Sequence, residues 1–88
     1  MKRLIIWFAI RRIKRMEKVF DRLLWQKENT PEKLDEALLK RLTRYYEGVG
    51  WSVDFKLDEA GLLPKDLKRG VLSEDGVYNL LSDIDSLK

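Results

Sequence analysis

Eighty-eight residues, 44% of them hydrophobic and 38% charged, suffice for one compact domain around a single core and not for two. The chain has neither cysteine nor histidine. Disulfides, thiolate chemistry, Ser-His or Cys-His nucleophile pairs and cysteine-ligated metals are therefore excluded, and the commonest general base is missing. The net charge of +3 is unevenly laid out: residues 1–29 carry nine basic and three acidic side chains, residues 30–50 four of each, and residues 51–88 five basic and eight acidic. Such polarity serves an anionic partner at the front, an internal attraction between the two ends, or both.

The chain opens MKRLIIWFAIRR. Its apolar run from Leu4 to Ile10 is too short to span a bilayer, since seven helical residues reach only about 10 Å, and no small-residue cleavage site follows. From Ile10 onward, Ile13, Met16, Val19, Phe20, Leu23 and Leu24 recur at spacings of three and four, the period of an amphipathic helix. Residues 1–9 are expected to continue that helix as an apolar extension of a single helical domain, residues 10–88. On the opposite side, Arg11, Arg15, Lys18 and Arg22 form one basic stripe. Extending the wheel backwards places Ile5, Ile6 and Ala9 on the core side, and Leu4, Trp7 and Phe8 toward the basic side.

Thr30 is a candidate cap for a second helix, with Pro31 in its first position and Glu32 in its first turn. Leu34, Leu38, Leu42 and Tyr45 mark the buried side, with Ala37, Leu39 and Tyr46 beside them. Gly48 is the expected left-handed stop after Glu47. The short connection predicts an antiparallel hairpin. In WSVDFKLDEAG, Ser52 is a candidate cap and Gly61 a candidate stop for a short helix anchored by Trp51, Phe55 and Leu57. A strand from Trp51 to Leu57 is the rival, because these apolar residues also alternate with Val53, but no second segment offers it a partner.

LPKDLKRGVLSEDG, residues 63–76, reads as a corner. Pro64 starts a helical turn, Gly70 is expected at positive φ, Leu67, Val71 and Leu72 pin the loop to the core, and Ser73 caps a final helix. Glu74 and Asp75 are expected in that helix's first turn, and Val77, Leu80, Leu81, Ile84 and Leu87 follow at helical spacing. The segment has no GxxxxGK[ST] spacing, and its acids oppose a phosphate at the helix start, so a structural turn is favoured over an anion cradle. Asp66, Lys68 and Arg69 are the residues the turn itself does not require.

The words IRRIKRMEKVFDRLL and YYEGVGWSVDFKLDEAGLLPKDLKRGVLSEDGVYNLL resemble a bacterial family of short uncharacterised proteins, domain of unknown function 4298. The resemblance runs from about Ile10 to Asp85. Its most specific parts are the Tyr45-Tyr46 pair, Trp51 with Asp54-Phe55, and LPKDLKRGVLSEDGVYNLL. It implies a small helical bacterial domain and brings no activity, cofactor or catalytic residue with it. The apolar start from Leu4 to Phe8 is longer and more hydrophobic than that family's usual beginning.

The expected fold is thus all-α: a long antiparallel helix hairpin, a short helix, a structured corner and a capped C-terminal helix. The expected function is non-enzymatic protein binding of an adaptor, inhibitor or immunity type, without a cofactor, in the cytoplasm. The candidate partner-binding residues are Trp7, Phe8, Arg11, Arg15, Lys18 and Arg22, with Asp66, Lys68 and Arg69 on the corner. Three alternatives stay open for the same helix: a stripe that is merely solvated or internally paired, a nucleic-acid contact, and association with an anionic membrane surface. The apolar tip is either a contact patch, self-association included, or a surface covered by the last helix or by Leu62-Leu63.

Overall fold

The computed structural model describes residues 2–73 and 75–87, with the side chain of Lys2 left aside. Glu74, assigned above to a helix start, lies outside the described residues. Four α-helices and two 3-10 turns follow in the order α1 (Lys2–Asn29), a turn at Pro31–Lys33, α2 (Glu36–Glu47), α3 (Val49–Glu59), a turn at Gly70–Leu72, and α4 (Gly76–Leu87). No strand occurs among the described residues, so the Trp51–Leu57 segment is helical and the domain is all-α. Among the described residues no helix is long and apolar enough to cross a membrane.

α1 sets the shape. Twenty-eight residues at 1.5 Å each give about 42 Å, close to the molecule's longest extent of 44 Å, against 21 and 20 Å across. Its buried line Ala9, Ile13, Met16, Phe20 and Leu23 follows the expected spacing and meets Leu42 and Tyr45 of α2 and Val77, Leu80 and Ile84 of α4. The first turns outrun this core. Leu4, Ile5, Trp7 and Phe8 are 59, 52, 49 and 55% exposed, so neither the last helix nor Leu62-Leu63 covers the tip. Ile5, expected on the core side, is exposed with them, because only Ile6 and Ala9 at this level have chain packed against them.

The start of α2 differs from expectation. Pro31 initiates only the 3-10 turn, and Thr30 makes no side-chain cap bond. The helix begins five residues later, where the Asp35 carboxylate accepts the backbone N–H groups of Ala37 and Leu38 at 3.0 and 3.2 Å. Buried Gln26 of α1 fixes this joint by accepting the Asp35 N–H on its side-chain oxygen at 2.9 Å. Ala37 faces solvent.

Gly48 is the whole connection between α2 and α3, and it is extended, with φ −95° and ψ −178°, rather than left-handed. A Cβ there would sit 2.8 Å from the Arg44 carbonyl oxygen, so what it supplies is room for a close backbone approach. α3 therefore starts at Val49, and Ser52 lies inside it rather than capping it. Gly61 is the expected stop. Its φ of 71° is the only positive value among the described residues. Its N–H bonds to Asp58 O, and the Leu62 N–H reaches back to Leu57 O at 3.1 Å, the paired closure of a Schellman motif.

The corner then returns to the core. Leu67 N–H closes a turn onto Pro64 O, and Leu63, Leu67, Val71 and Leu72 are all buried. Gly70 opens the second 3-10 turn without a positive φ, correcting the expectation for it. Ser73 Oγ accepts the Gly76 N–H at 3.0 Å as a cap should, while Asp75 stands just before α4 and gives its carbonyl to the Asn79 N–H. Leu87 is exposed at the end of α4.

Candidate interaction surface

Asp54 is the least expected residue of the interior. It sits on α3 with no exposed surface, bound by two nitrogens of Arg12, at 2.9 Å from Nε, and by the Tyr45 hydroxyl at 2.6 Å. A buried carboxylate without such partners costs several kcal/mol, so α1, α2 and α3 meet here because each contributes one member. Burial, and then donation to Asp54, push the Tyr45 phenol well above its ordinary value, and the hydrogen bond to Asp54 raises Arg12 as well. The trio joins the end of α2 to the N-terminal half of α1, which makes the hairpin antiparallel as expected.

A second polar device holds the corner. Glu17, buried on α1, accepts the Val71 N–H, and the Trp51 indole N–H donates to Val71 O at 2.9 Å, so the peptide groups on both sides of Val71 are held from two helices. Trp51 in turn stacks on Phe55, centroids 4.9 Å apart, and meets Tyr46 edge to face at 5.1 Å. All three rings are partly buried, and Tyr46 and Trp51 pack against the core.

The nine predicted site residues do not form one site. Arg69 is turned inward: it pairs with Asp58 at the end of α3 and donates to the carbonyls of Pro64 and Leu67. Lys68 is exposed but pairs with Asp21 of α1 at 2.5 Å, and that hydrogen bond raises its ammonium above the ordinary value. Both cations therefore strap the corner, a task the sequence left unassigned. Asp66 and Lys68 share with Lys18 a groove of about 420 Å³ between α1 and the corner. Glu17 also lines it, and its second carboxylate oxygen has no hydrogen bond but lies 4.0 Å from the Lys68 ammonium.

Trp7, Phe8, Arg11 and Arg15 do come together. They line a surface groove of about 410 Å³ at the free end of α1, with Arg12 as its fifth wall. Trp7 and Phe8 meet edge to face with centroids 4.9 Å apart, and the Arg11 guanidinium lies 4.9 Å above the Trp7 ring. Arg22, lower on the stripe, lies over the exposed Trp25 ring at 5.5 Å. Arg11, Arg15, Lys18 and Arg22 have no ion-pair partner among the described residues. The pairs that link front to back use Arg12 with Asp54, Lys27 with Asp83, and Lys68 with Asp21.

Sequence reasoning missed Arg12, Glu17, Gln26 and Asp54. The signal was positional for two of them: Glu17 falls between Ile13 and Phe20, and Gln26 three residues after Leu23, on the apolar face of α1, while Asp54 stands three residues after Trp51 and beside Phe55. Among the described residues no three His, Cys, Asp or Glu side chains gather as a metal site.

No curated protein and no solved structure matches the chain. One family model does, over residues 13–87, which takes in the corner and the core apart from Ala9, and leaves out the exposed tip and Arg12. On that match, the chain belongs to the family described as Domain of unknown function (DUF4298).

Proposed function

We propose that the protein is a non-enzymatic binding domain of the bacterial cytoplasm, an adaptor, inhibitor or immunity-type protein that docks on an acidic protein surface through the free end and basic stripe of α1. One observation carries this reading: Trp7 and Phe8 stand half exposed beside Arg11 and Arg15, two cations without ion-pair partners among the described residues. Trp and Arg dominate binding hot spots, because a large ring desolvates well and a guanidinium makes directional bonds. Leu4 and Ile5 extend the patch with aliphatic surface. Aliphatic surface adds nothing to a phosphate contact but adds much to a protein one.

The test is capture of partners from the host by the intact chain, by Trp7→Ala/Phe8→Ala and by Arg11→Glu/Arg15→Glu. All four positions are exposed, so the variants are expected to unfold within about 0.5 kcal/mol of the parent. Each pair is expected to weaken a captured complex at least tenfold, roughly the effect of one modest hot spot. Capture indifferent to both pairs overturns the reading. Retention on DNA or RNA that falls steeply with salt replaces it with a nucleic-acid contact, and sedimentation with anionic vesicles that needs Trp7 and Phe8 replaces it with a membrane surface.

A further inference from the structure

A face opposite in character to the α1 tip lies between α2 and α4. Between α2 and α4 runs an open groove of about 490 Å³, floored by Leu39, Tyr46 and Leu81 and bordered by Tyr78, which is 60% exposed. Its charged lining residues are Glu47 and Asp85, both acidic and both exposed, and neither has an ion-pair partner among the described residues. Among the described residues no basic side chain lines it. The tip offers the reverse: exposed apolar rings with Arg11 and Arg15 one and two turns behind them on the same side of the helix.

We propose that the partner of the tip includes a second copy of this chain, with Trp7 and Phe8 of one molecule seated in the α2/α4 groove of the next and Arg11 and Arg15 facing Glu47 and Asp85. This rests on the reading of the tip as a protein-binding surface and names its occupant. The argument is complementarity of charge and of surface, aromatic against aromatic and unpaired cation against unpaired anion, in the mode of a helix entering a groove.

The contact cannot form within one molecule. Trp7 and Phe8 stand half exposed in a groove lined by α1 residues alone, and a continuous helix cannot fold them back onto α2 and α4. Donor and acceptor are different surfaces, so the association is head to tail, and each added copy leaves one tip and one groove free. Growth is then open-ended unless a ring closes.

Sedimentation velocity of the full chain across micromolar to millimolar concentrations tests this. The intact chain is expected to shift progressively to species larger than a dimer at low salt, and back to monomer at about 1 M salt, where the screening length falls to about 3 Å. Arg11→Glu/Arg15→Glu abolishes the donor, and Glu47→Lys/Asp85→Lys abolishes the acceptor, so each variant alone is expected to remain monomeric. Mixed together, they are expected to associate again, because the reversed tip of one variant complements the reversed groove of the other just as the native tip complements the native groove, so alternating species of dimer size and larger form. A monomeric intact chain at millimolar concentration and low salt overturns the proposal, as does a mixture that forms no dimer. If host-protein capture through Trp7 and Phe8 persists in that case, the binding reading stands and only the second copy is lost.

Discussion

Asp54 shows how one residue sets an unequal pair of costs. Arg12→Ala leaves a wholly buried carboxylate with only a phenol for company, and breaking a buried pair in this way costs about 3–5 kcal/mol. Asp54→Ala leaves the Arg12 side chain, already 35% exposed, which can turn to water and recover part of its solvation. Urea midpoints should therefore rank Arg12→Ala as the more damaging change; the reverse order sinks this account. Tyr45 adds a pH dependence. In the unfolded chain its phenol titrates near 10.0, and burial and the Asp54 contact raise it in the native state. Above that pH the unfolded state binds fewer protons than the native one, so stability is full below about pH 10 and falls as pH rises, by up to about 1.4 kcal/mol per unit. Exposed Lys68 is raised too and pushes in the same direction. Tyr45→Phe is expected to cost about 1 kcal/mol at neutral pH and to flatten the alkaline decline of the melting temperature relative to the parent.

The helix ends obey local chemistry where a side chain can satisfy a backbone group without tertiary help. Gly61 is such a case, since the left-handed geometry that closes α3 is available to glycine at no steric cost. The start of α2 is not. Thr30-Pro31-Glu32 has the composition of a helix start, yet buried Gln26 takes the Asp35 N–H and draws the joint five residues downstream. Asp35→Ala is thus expected to lower stability by about 1 kcal/mol, the usual cost of a lost N-cap, while Thr30→Ala leaves the urea midpoint almost unchanged. Equal losses from the two substitutions contradict this assignment. The shared joint at Gly48 illustrates the same limit: α3 begins at once because nothing between the helices needs a longer link.

At the scale of the whole molecule, the charge asymmetry divides into two uses. Two basic residues of the front, Arg12 and Lys27, meet acids of the back, and Lys68 of the corner meets Asp21 in the opposite sense, whereas the stripe of Arg11, Arg15, Lys18 and Arg22 stays in solvent. That division follows from shape, because α1 is as long as the molecule and the other elements cover only one side of it, leaving Leu4, Ile5, Trp7 and Phe8 exposed. The sequence by itself determined the all-α class, the buried face of α1, the antiparallel hairpin, the Gly61 stop and the apolar contribution of the corner. Each of these follows from periodicity or backbone preference, which act over a few residues. It also located the tip and the stripe, although it left open whether anything covered them. Only the tertiary structure decided that the tip is bare, that Arg69 and Lys68 strap the corner, and that Glu17 and Asp54 belong inside. A charged residue's place depends on which partner another element brings within hydrogen-bond reach, and no spacing along the chain encodes that meeting.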